Sequence, residues 1–173
     1  MSSVFSDLDQ SIAPLAPEFF YSNLRIQETL TTIRYGIEAR RGLTIVTGAA
    51  GIGKSTLLCR AATDLAPNTI CIFGSDPRVS FADILRLILR HLDGDPANGD
   101  EASMLRTCRL QLRERLDQCR LVALFLDNAH QFQDATLRSI IQNFLVGSAE
   151  DPEGTLLQLI LAGRPEIRTK ISR

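Results

Sequence analysis

One of the few lysines of this chain lies in a glycine-rich stretch. Lysine and arginine together number 19 among 173 residues, and only Lys54 and Lys170 are lysines. Lys54 belongs to GAAGIGKST, residues 48–56, which directly follows the apolar run Leu43–Thr47. Glycine permits unusual backbone angles and a close approach of the main chain to a ligand. A helix that begins there adds unpaired N–H groups and the positive end of its dipole. The stretch therefore predicts a phosphate-binding loop.

The spacing gives each residue of this glycine loop (residues 48–56) a chemical role. It fits G-x-x-x-x-G-K-[ST] at every fixed position, between a predicted strand and a predicted helix. Lys54 would supply a point charge for the β- and γ-phosphates, and the Ser55 hydroxyl would ligate Mg²⁺. The plainer alternative is a glycine-rich turn that binds no ligand. The predicted nucleotide-binding residues are Gly48, Ala49, Ala50, Gly51, Ile52, Gly53, Lys54, Ser55 and Thr56.

A second candidate is the aspartate that directly follows the apolar run LVALFL in LVALFLDNAH, residues 121–130. An apolar strand followed by an aspartate is the Walker B arrangement, and ligands bind at the carboxyl edge of open α/β sheets. Asp127 is therefore predicted to hold Mg²⁺ together with Ser55. The alternative is an aspartate that merely begins a turn. No asparagine directly precedes a lysine, as a guanine-reading N-K-x-D motif would require, so ATP is the favoured nucleotide.

The composition is typical of a globular protein, and the net charge gives no long-range attraction to nucleic acid or anionic lipid. Hydrophobic residues make up 45% and the formal net charge is −1. The sequence has no apolar stretch near 18 residues and no secretory signal, so we expect a cytoplasmic protein without membrane contact of its own. The four cysteines are expected to be free thiols in a reducing compartment. They are Cys59, Cys71, Cys108 and Cys119.

Apolar runs and helical stripes alternate along the chain. Strands are predicted at 43–47, 69–73, 121–126 and 156–161, and helices at 23–41, 54–65, 81–92, 101–120 and 135–145, with a short one after Pro165. This order predicts an α/β fold, a P-loop NTPase-type parallel sheet with helices on both faces. Residues 1–20 are expected to form an irregular arm, and residues 21–173 a single nucleotide-binding domain.

Several longer stretches resemble the AAA+ ATPases of the ExeA-like type, found in general secretion and pilus assembly. They are FFYSN at 19–23, YGIEARRGLTIVTGAAGIGKSTLL at 35–58, LFLDNAH at 124–130 and LILAGRPEI at 159–167. The resemblance covers about residues 18–170. It implies a sensor strand ending at Gly163 between the two Walker strands. It also implies a catalytic role for Arg164 toward the γ-phosphate or the attacking water, although a solvent-facing arginine is an equal alternative.

The resemblance suggests three further features. Arg138 or Arg168 could act across a subunit interface as an arginine finger. Phe20 and Tyr21 would lie near the adenine or simply cover the edge of the sheet. The relatives continue with a fifth strand and a helical lid, so we expect the lid to be absent here and the chain to be a fragment or a shortened member.

The main departure from these relatives is Asn128, which stands where a glutamate usually follows the Walker B aspartate. An amide can orient water but cannot take its proton at neutral pH. Losing general-base help costs roughly a hundred- to ten-thousand-fold in rate. Asn128 is therefore predicted to occupy the catalytic position with weak activity, and His130 is the nearest titratable substitute.

Three functions are consistent with the sequence. The favoured one is an ATP-binding, slowly hydrolysing switch that forms nucleotide-dependent homo-oligomers and contacts proteins of a secretion or pilus machine. The second is a DNA-linked ATPase of the transposon target-selection type. The helix around 101–120 carries five arginines that could bind DNA phosphates, but acidic residues on the same helix reduce its positive charge. The third is a small-molecule kinase, disfavoured because no acceptor site is evident. The five arginines are Arg106, Arg109, Arg113, Arg115 and Arg120.

Overall fold

The computed structural model describes residues 24–65, 69–92, 100–146 and 155–172. Strands and helices alternate as predicted. The strands are β1 (Leu43–Thr47), β2 (Thr69–Gly74), β3 (Leu121–Leu126) and β4 (Gln158–Gly163). The helices are α1 (Leu24–Glu38), α2 (Lys54–Leu65), α3 (Phe81–His91), α4 (Glu101–Asp117), α5 (Asp134–Phe144) and α6 (Glu166–Ile171), and a 3₁₀ turn spans Ala129–Gln131.

The four strands form one parallel sheet in the order β1-β4-β3-β2. Strand β4 thus lies between β1, which precedes the glycine loop, and β3, which precedes Asp127. This is the position that the family resemblance implied for a sensor strand. Parallel pairing brings the carboxyl ends of all four strands to one edge. This edge carries the residues with predicted chemistry.

Each strand of the sheet contributes side chains to two separate cores because successive residues point to opposite faces. Ala123 and Phe125 of β3 pack with α1 and α2, whereas Val122, Leu124 and Leu126 pack with α3, α4 and α5. Helices therefore cover both faces, and the predicted α/β architecture is confirmed. The central strands β3 and β4 are apolar on both faces because neither face meets water.

Capping side chains determine where two of the helices begin. Ser80 accepts a hydrogen bond from the Asp83 N–H at 3.2 Å, and the Asp83 carboxylate accepts one from the Ser80 N–H at 3.0 Å. This reciprocal capping box confirms the predicted start of α3. Asp100 caps α4 in a similar way, accepting a hydrogen bond from the Ser103 N–H at 3.2 Å.

Three predicted boundaries were wrong. Helix α1 ends at Glu38 rather than near Arg41, because Arg40 adopts a left-handed conformation with φ 53°. Strand β4 begins at Gln158 rather than Leu156, since the apolar run starts before the strand pairing does. Helix α4 ends at Asp117 rather than at residue 120, and Cys119 lies beyond this end, exposed and left-handed at φ 58°.

Several expectations fall outside the described residues. They concern the 1–20 arm, Phe20 and Tyr21, and the start of the first helix at residue 23. The four cysteines, all described, are unpaired thiols, as predicted. Within the described ranges, no helix has the length and apolar character needed to cross a membrane.

Candidate phosphate-binding site

The glycine loop connects β1 to α2 at the carboxyl edge of the sheet. Gly51 and Gly53 have φ values of 77° and 90°, a region that disfavours residues with a Cβ. The Gly48 N–H donates to the Gly163 carbonyl of β4 at 3.2 Å, and the Leu57 N–H donates to the Gly53 carbonyl at 2.9 Å. The loop is thus anchored at one end to the sheet and at the other to the first turn of α2, and its middle, residues 49–53, is exposed.

The side chain of Lys54 folds back over the loop that carries it. Its Nζ donates to the carbonyl oxygens of Gly48 and Ala49 at 3.1 and 2.7 Å. The ammonium therefore lies on the same side of the loop as the sheet edge, half-buried rather than extended into solvent. A cation held there adds to the field of the helix N-terminus that begins at the same residue.

Asp127 and Ser55 meet at the end of β3. The Ser55 hydroxyl donates to Asp127 Oδ2, and the Asn128 N–H donates to Asp127 Oδ1 at 2.7 Å. Asp127 is only 7% exposed, and its own N–H donates to the Gly74 carbonyl of β2 at 3.0 Å. Both oxygens of this buried side chain thus have hydrogen-bond partners. The two residues predicted to share a metal are neighbours in the structure.

Asn128 adopts a left-handed backbone conformation, with φ 51° and ψ 33°, and is exposed. Asparagine tolerates this region better than most residues because its short amide can interact with the local backbone. This geometry turns the chain sharply after β3 and aims the Asn128 N–H at the carboxylate of Asp127.

The Asp127 turn (residues 127–131) also contacts the end of β4. His130 Nδ1 accepts a long hydrogen bond, 3.4 Å, from the Arg164 N–H. The Arg164 side chain is exposed, so the contact of Arg164 with the turn is through its backbone. His130 is thus part of the 3₁₀ turn before α5 and faces β4.

Comparison with known proteins identifies the kind of domain. A family of AAA domains matches residues 37–171. The chain belongs to the AAA domain family. This AAA domain is 26% identical over 160 residues to general secretion pathway protein A of Aeromonas hydrophila, an alignment that covers 91% of this chain and 28% of that protein.

Solved structures show the same fold. Cdc6p from Pyrobaculum aerophilum superposes with a TM-score of 0.62 at 15% identity, covering 88% of this chain and 42% of that one. The Aeropyrum pernix ORC2 protein, in ADPNP–ADP complexes, gives 0.62 at 14% identity, covering 95% and 45%. The chain therefore spans less than half of each of these proteins. The predicted AAA+ P-loop domain of the ExeA-like type is confirmed, and its fold implies nucleotide binding.

Charge from the Asp127 carboxylate reaches the second turn of α2. The pKa of the Cys59 thiol in this AAA domain is raised, first by burial and second by the negative charge of Asp127. A thiolate at this position would lie near a carboxylate, so the thiol form is favoured.

The other arginines considered in the sequence analysis lie outside the cluster of Lys54, Ser55 and Asp127. Arg138 and Arg168 are exposed on α5 and α6, so either is accessible to a neighbouring subunit. On α4 of the AAA domain, Arg109 donates to the Asn143 carbonyl at 3.0 Å and Arg115 to the Leu92 carbonyl at 3.1 Å. Both guanidinium groups thus join α4 to other segments, which weakens the case for a continuous DNA-binding stripe.

Three positions of the AAA domain were not singled out from the sequence as site residues. The Gly74 carbonyl holds the backbone of Asp127, the Gly163 carbonyl holds the glycine loop, and Lys170 contacts the Asp127 turn. The roles of the two glycines could not be recognised from the neighbouring sequence, because their carbonyl groups contact residues that follow other strands. Lys170 could have been noticed, since it is the other of the two lysines.

Proposed function

We propose that this AAA domain binds ATP with Mg²⁺, hydrolyses it slowly, and acts as a nucleotide-dependent switch in the assembly of a secretion or pilus-type system. The observation that carries the proposal is the contact between Ser55 and Asp127 beside the glycine loop and Lys54. A loop of donors, a cation and a hydroxyl–carboxylate pair are the groups that a triphosphate and its metal require.

The donor set at Ser55 and Asp127 fits Mg²⁺. Both residues offer hard oxygen ligands, and Mg²⁺ is usually bound by one or two carboxylates together with phosphate oxygens. The ion would be held between the Ser55 hydroxyl and the Asp127 carboxylate, where it would neutralise charge on the phosphates. The Asn128 N–H keeps Asp127 Oδ1 oriented independently of that ion.

Asn128 is the reason for proposing slow hydrolysis. The residue after the Walker B aspartate of this chain has no group that can accept a proton from water at neutral pH. His130 Nδ1, the nearest titratable alternative, accepts the Arg164 N–H instead. The chain's own residues thus favour binding and orientation over proton transfer.

The switch role rests on differential binding. A nucleotide shifts an equilibrium between arrangements only by as much as its affinities for them differ. The end of β4, beside the glycine loop, is where contacts to a γ-phosphate would distinguish ATP from ADP, through Arg164. Exposed Arg138 and Arg168 would complete the site of a neighbouring subunit in a homo-oligomer. The similarity to general secretion pathway protein A supports the setting, with cytoplasmic proteins of that machinery as partners.

The test is a titration of the purified chain with ATP, ADP and a non-hydrolysable ATP analogue, each with Mg²⁺, followed by light scattering and by phosphate release. We expect the two triphosphates to change the assembly state and ADP to leave it unchanged. Turnover should stay below about one per second, the lower end of ordinary enzyme rates. The variant Arg164→Ala should lose the distinction between ATP and ADP.

Two results would contradict this proposal. Assembly that is identical with ATP and ADP would remove the switch, and turnover at ordinary enzyme rates would show that Asn128 does not limit the chemistry. Glu166→Gln is a matched control for the assembly measurement, because it changes an exposed charge next to this edge without altering the cluster of Lys54, Ser55 and Asp127.

A further inference from the structure

The Asp127 turn and the end of β4 are in direct contact through one side chain. His130 lies 34 residues from Arg164 in sequence, and its Nδ1 accepts the Arg164 N–H at 3.4 Å. Since the partner is a backbone donor, Nδ1 is the acceptor in this contact, so the Nδ1 edge of the ring faces the end of β4. The imidazole is half-buried at this position.

Gly163, the residue of β4 that precedes Arg164, leaves room for the His130 ring. A Cβ added at Gly163 would lie 3.1 Å from His130 Nδ1 and 3.2 Å from the His130 backbone nitrogen. Such separations are tighter than ordinary van der Waals contact, so the turn approaches β4 closely because residue 163 has no side chain. The same glycine binds the Gly48 N–H, so the contact continues to the glycine loop.

Lys170 fixes the backbone of the turn from the other side. Its Nζ donates to the carbonyl oxygens of His130, at 3.2 Å, and of Phe132, and pairs with the Asp134 carboxylate at 3.0 Å. The side chain is 18% exposed, which makes it a largely desolvated ammonium with three acceptors. The His130 ring is thus presented to β4 by a turn that α6 restrains.

We propose that His130 is a positioning residue for ATP hydrolysis, and that its ring holds the end of β4 in register with Asp127 and Asn128. The proposal rests on the nucleotide-binding function proposed above. The ring does not touch the Ser55–Asp127 pair; it acts through the Arg164 backbone, which determines where the Arg164 side chain starts. Hydrolysis, which needs the γ-phosphate, water and Asp127 aligned, should depend on this register more than binding does.

The experiment compares five single variants and one double variant with the wild type in single-turnover hydrolysis of γ-labelled ATP and in MgATP affinity. His130→Ala should slow hydrolysis about threefold to tenfold, the equivalent of one neutral hydrogen bond. Its Kd for MgATP should stay within about twofold of the wild type, because only the transition-state geometry is affected. His130→Asn places an acceptor near the Nδ1 position and should restore most of the rate, whereas His130→Gln, whose acceptor reaches the Nε2 position, should not.

The fourth variant, His91→Ala, is the matched control. His91 is the other histidine of the chain, and its Nδ1 contacts the Leu87 carbonyl within α3 at 2.9 Å. It should hydrolyse ATP as the wild type does. Gly163→Ala tests the same contact from β4 and should also slow hydrolysis; combined with His130→Ala, the two losses should be less than additive, because the ring that the new methyl group crowds is gone.

The outcomes separate this proposal from the one it rests on. If the wild type does not bind MgATP, both proposals fail. If the wild type binds MgATP but shows no hydrolysis above buffer, the positioning role and the slow hydrolysis are refuted and nucleotide binding stands. If the wild type hydrolyses ATP and His130→Ala hydrolyses it equally fast, only the positioning role is refuted. A parallel loss of affinity, rate and melting temperature in His130→Ala, without rescue by His130→Asn, would also refute it, since that pattern belongs to a structural role.

Discussion

Asn128 combines two properties that matter for catalysis. Its backbone is left-handed at φ 51°, and the family resemblance implies that its side chain takes the place where a glutamate is usual. For most L-residues a left-handed conformation costs roughly 1–2 kcal/mol, and asparagine is among the exceptions. In the proposed mechanism the same residue thus lowers the strain of the turn and leaves the site without a general base. A change that restores the base must therefore introduce strain.

Asn128→Glu should raise the rate of ATP hydrolysis and lower the melting temperature. The gain expected from a general base is roughly a hundred-fold or more. Asn128→Gln is the control, because its side chain has the length and left-handed strain of glutamate without the carboxylate. Single-turnover rates and thermal melts of both variants distinguish the effects: equal rates for Glu and Gln would show that the missing carboxylate is not what limits hydrolysis.

The thiols should differ widely in reactivity. Burial raises the pKa of Cys71 to about 12 and that of Cys108 to about 12, and burial with the Asp127 charge raises that of Cys59. A raised pKa leaves less of the reactive thiolate at pH 8. Exposed Cys119 should therefore be alkylated first by iodoacetamide in the native protein, as followed by mass spectrometry.

The control for this labelling is Cys119→Ser, which should lose the fast phase. Rapid modification of Cys71 or Cys108 under native conditions would mean that these side chains are not packed as described. In denaturant, all four thiols should react at similar rates.

Among single residues, sequence reasoning predicted those whose signal is local. The glycine loop and Asp127 are recognisable from residue type and spacing next to an apolar strand. The contact between His130 and Gly163 was not predictable, because the partners are 33 positions apart and come together only through the pairing of β3 with β4. The left-handed turn at Asn128 likewise depends on tertiary contacts that a propensity does not encode.

Helix α3 shows how a local pattern determines an element. Its capping box satisfies two backbone N–H groups that would otherwise lack partners. The pKa of Asp83 is lowered by hydrogen bonds from the Ser80 hydroxyl and N–H, and further by Arg86. A lowered pKa in the folded state means that this stabilisation is present above the ordinary value of 3.8 and is lost as the pH falls through the folded-state value.

Ser80→Ala should destabilise the domain by about 1 kcal/mol at pH 7, the usual cost of losing an N-cap. For a protein of this size the melting temperature should fall by about 2–4 °C. The difference from the wild type should narrow as the pH falls through the lowered pKa of Asp83, because protonation of this carboxylate weakens a box that only the wild type has. Thermal melts at pH 7 and at a series of lower pH values measure this.

Thr29→Ala provides the comparison for that measurement. Thr29 is half-buried within α1 and its hydroxyl bonds only along its own helix, to the Arg25 carbonyl at 2.8 Å. The Thr29→Ala substitution should leave the melting temperature unchanged or raise it slightly, because alanine has the higher helix propensity. A Ser80→Ala protein that melts like Thr29→Ala would show that the capping box adds nothing to stability.

Most helices and strands were predictable because their apolar periodicity is strong. The residues at which they end, and the order of the strands in the sheet, were harder to predict. Leu156 and Leu157 extend the apolar run of β4 ahead of its first paired residue, so hydrophobicity alone placed the strand two residues early. Arg40 has good helix propensity, yet it turns left-handed before β1. The position of β4 between β1 and β3 came from the family resemblance, since hydrophobic pattern carries no strand order.

The whole domain consists of two cores separated by one sheet, and the candidate site lies where three strands end. The glycine loop follows β1, Asp127 follows β3, and β4 lies between these two strands. The carbonyl of Gly163, the last residue of β4, accepts a hydrogen bond from the Gly48 N–H, and the Arg164 N–H that follows donates to His130 Nδ1. Because every strand is parallel, all three ends meet at one edge without any local signal linking them. This convergence is what the nucleotide-binding proposal depends on.

The most direct measurement is an isothermal titration of the wild type and of Lys54→Ala with MgATP. The wild type should bind one ATP per chain. Lys54→Ala should bind at least about tenfold more weakly, since a hydrogen bond from a charged donor is lost. Omitting Mg²⁺ should weaken binding to the wild type and leave Asp127→Asn little affected. Wild-type protein that does not bind MgATP, or a Lys54→Ala protein that binds it equally well, would contradict the assignment of this loop.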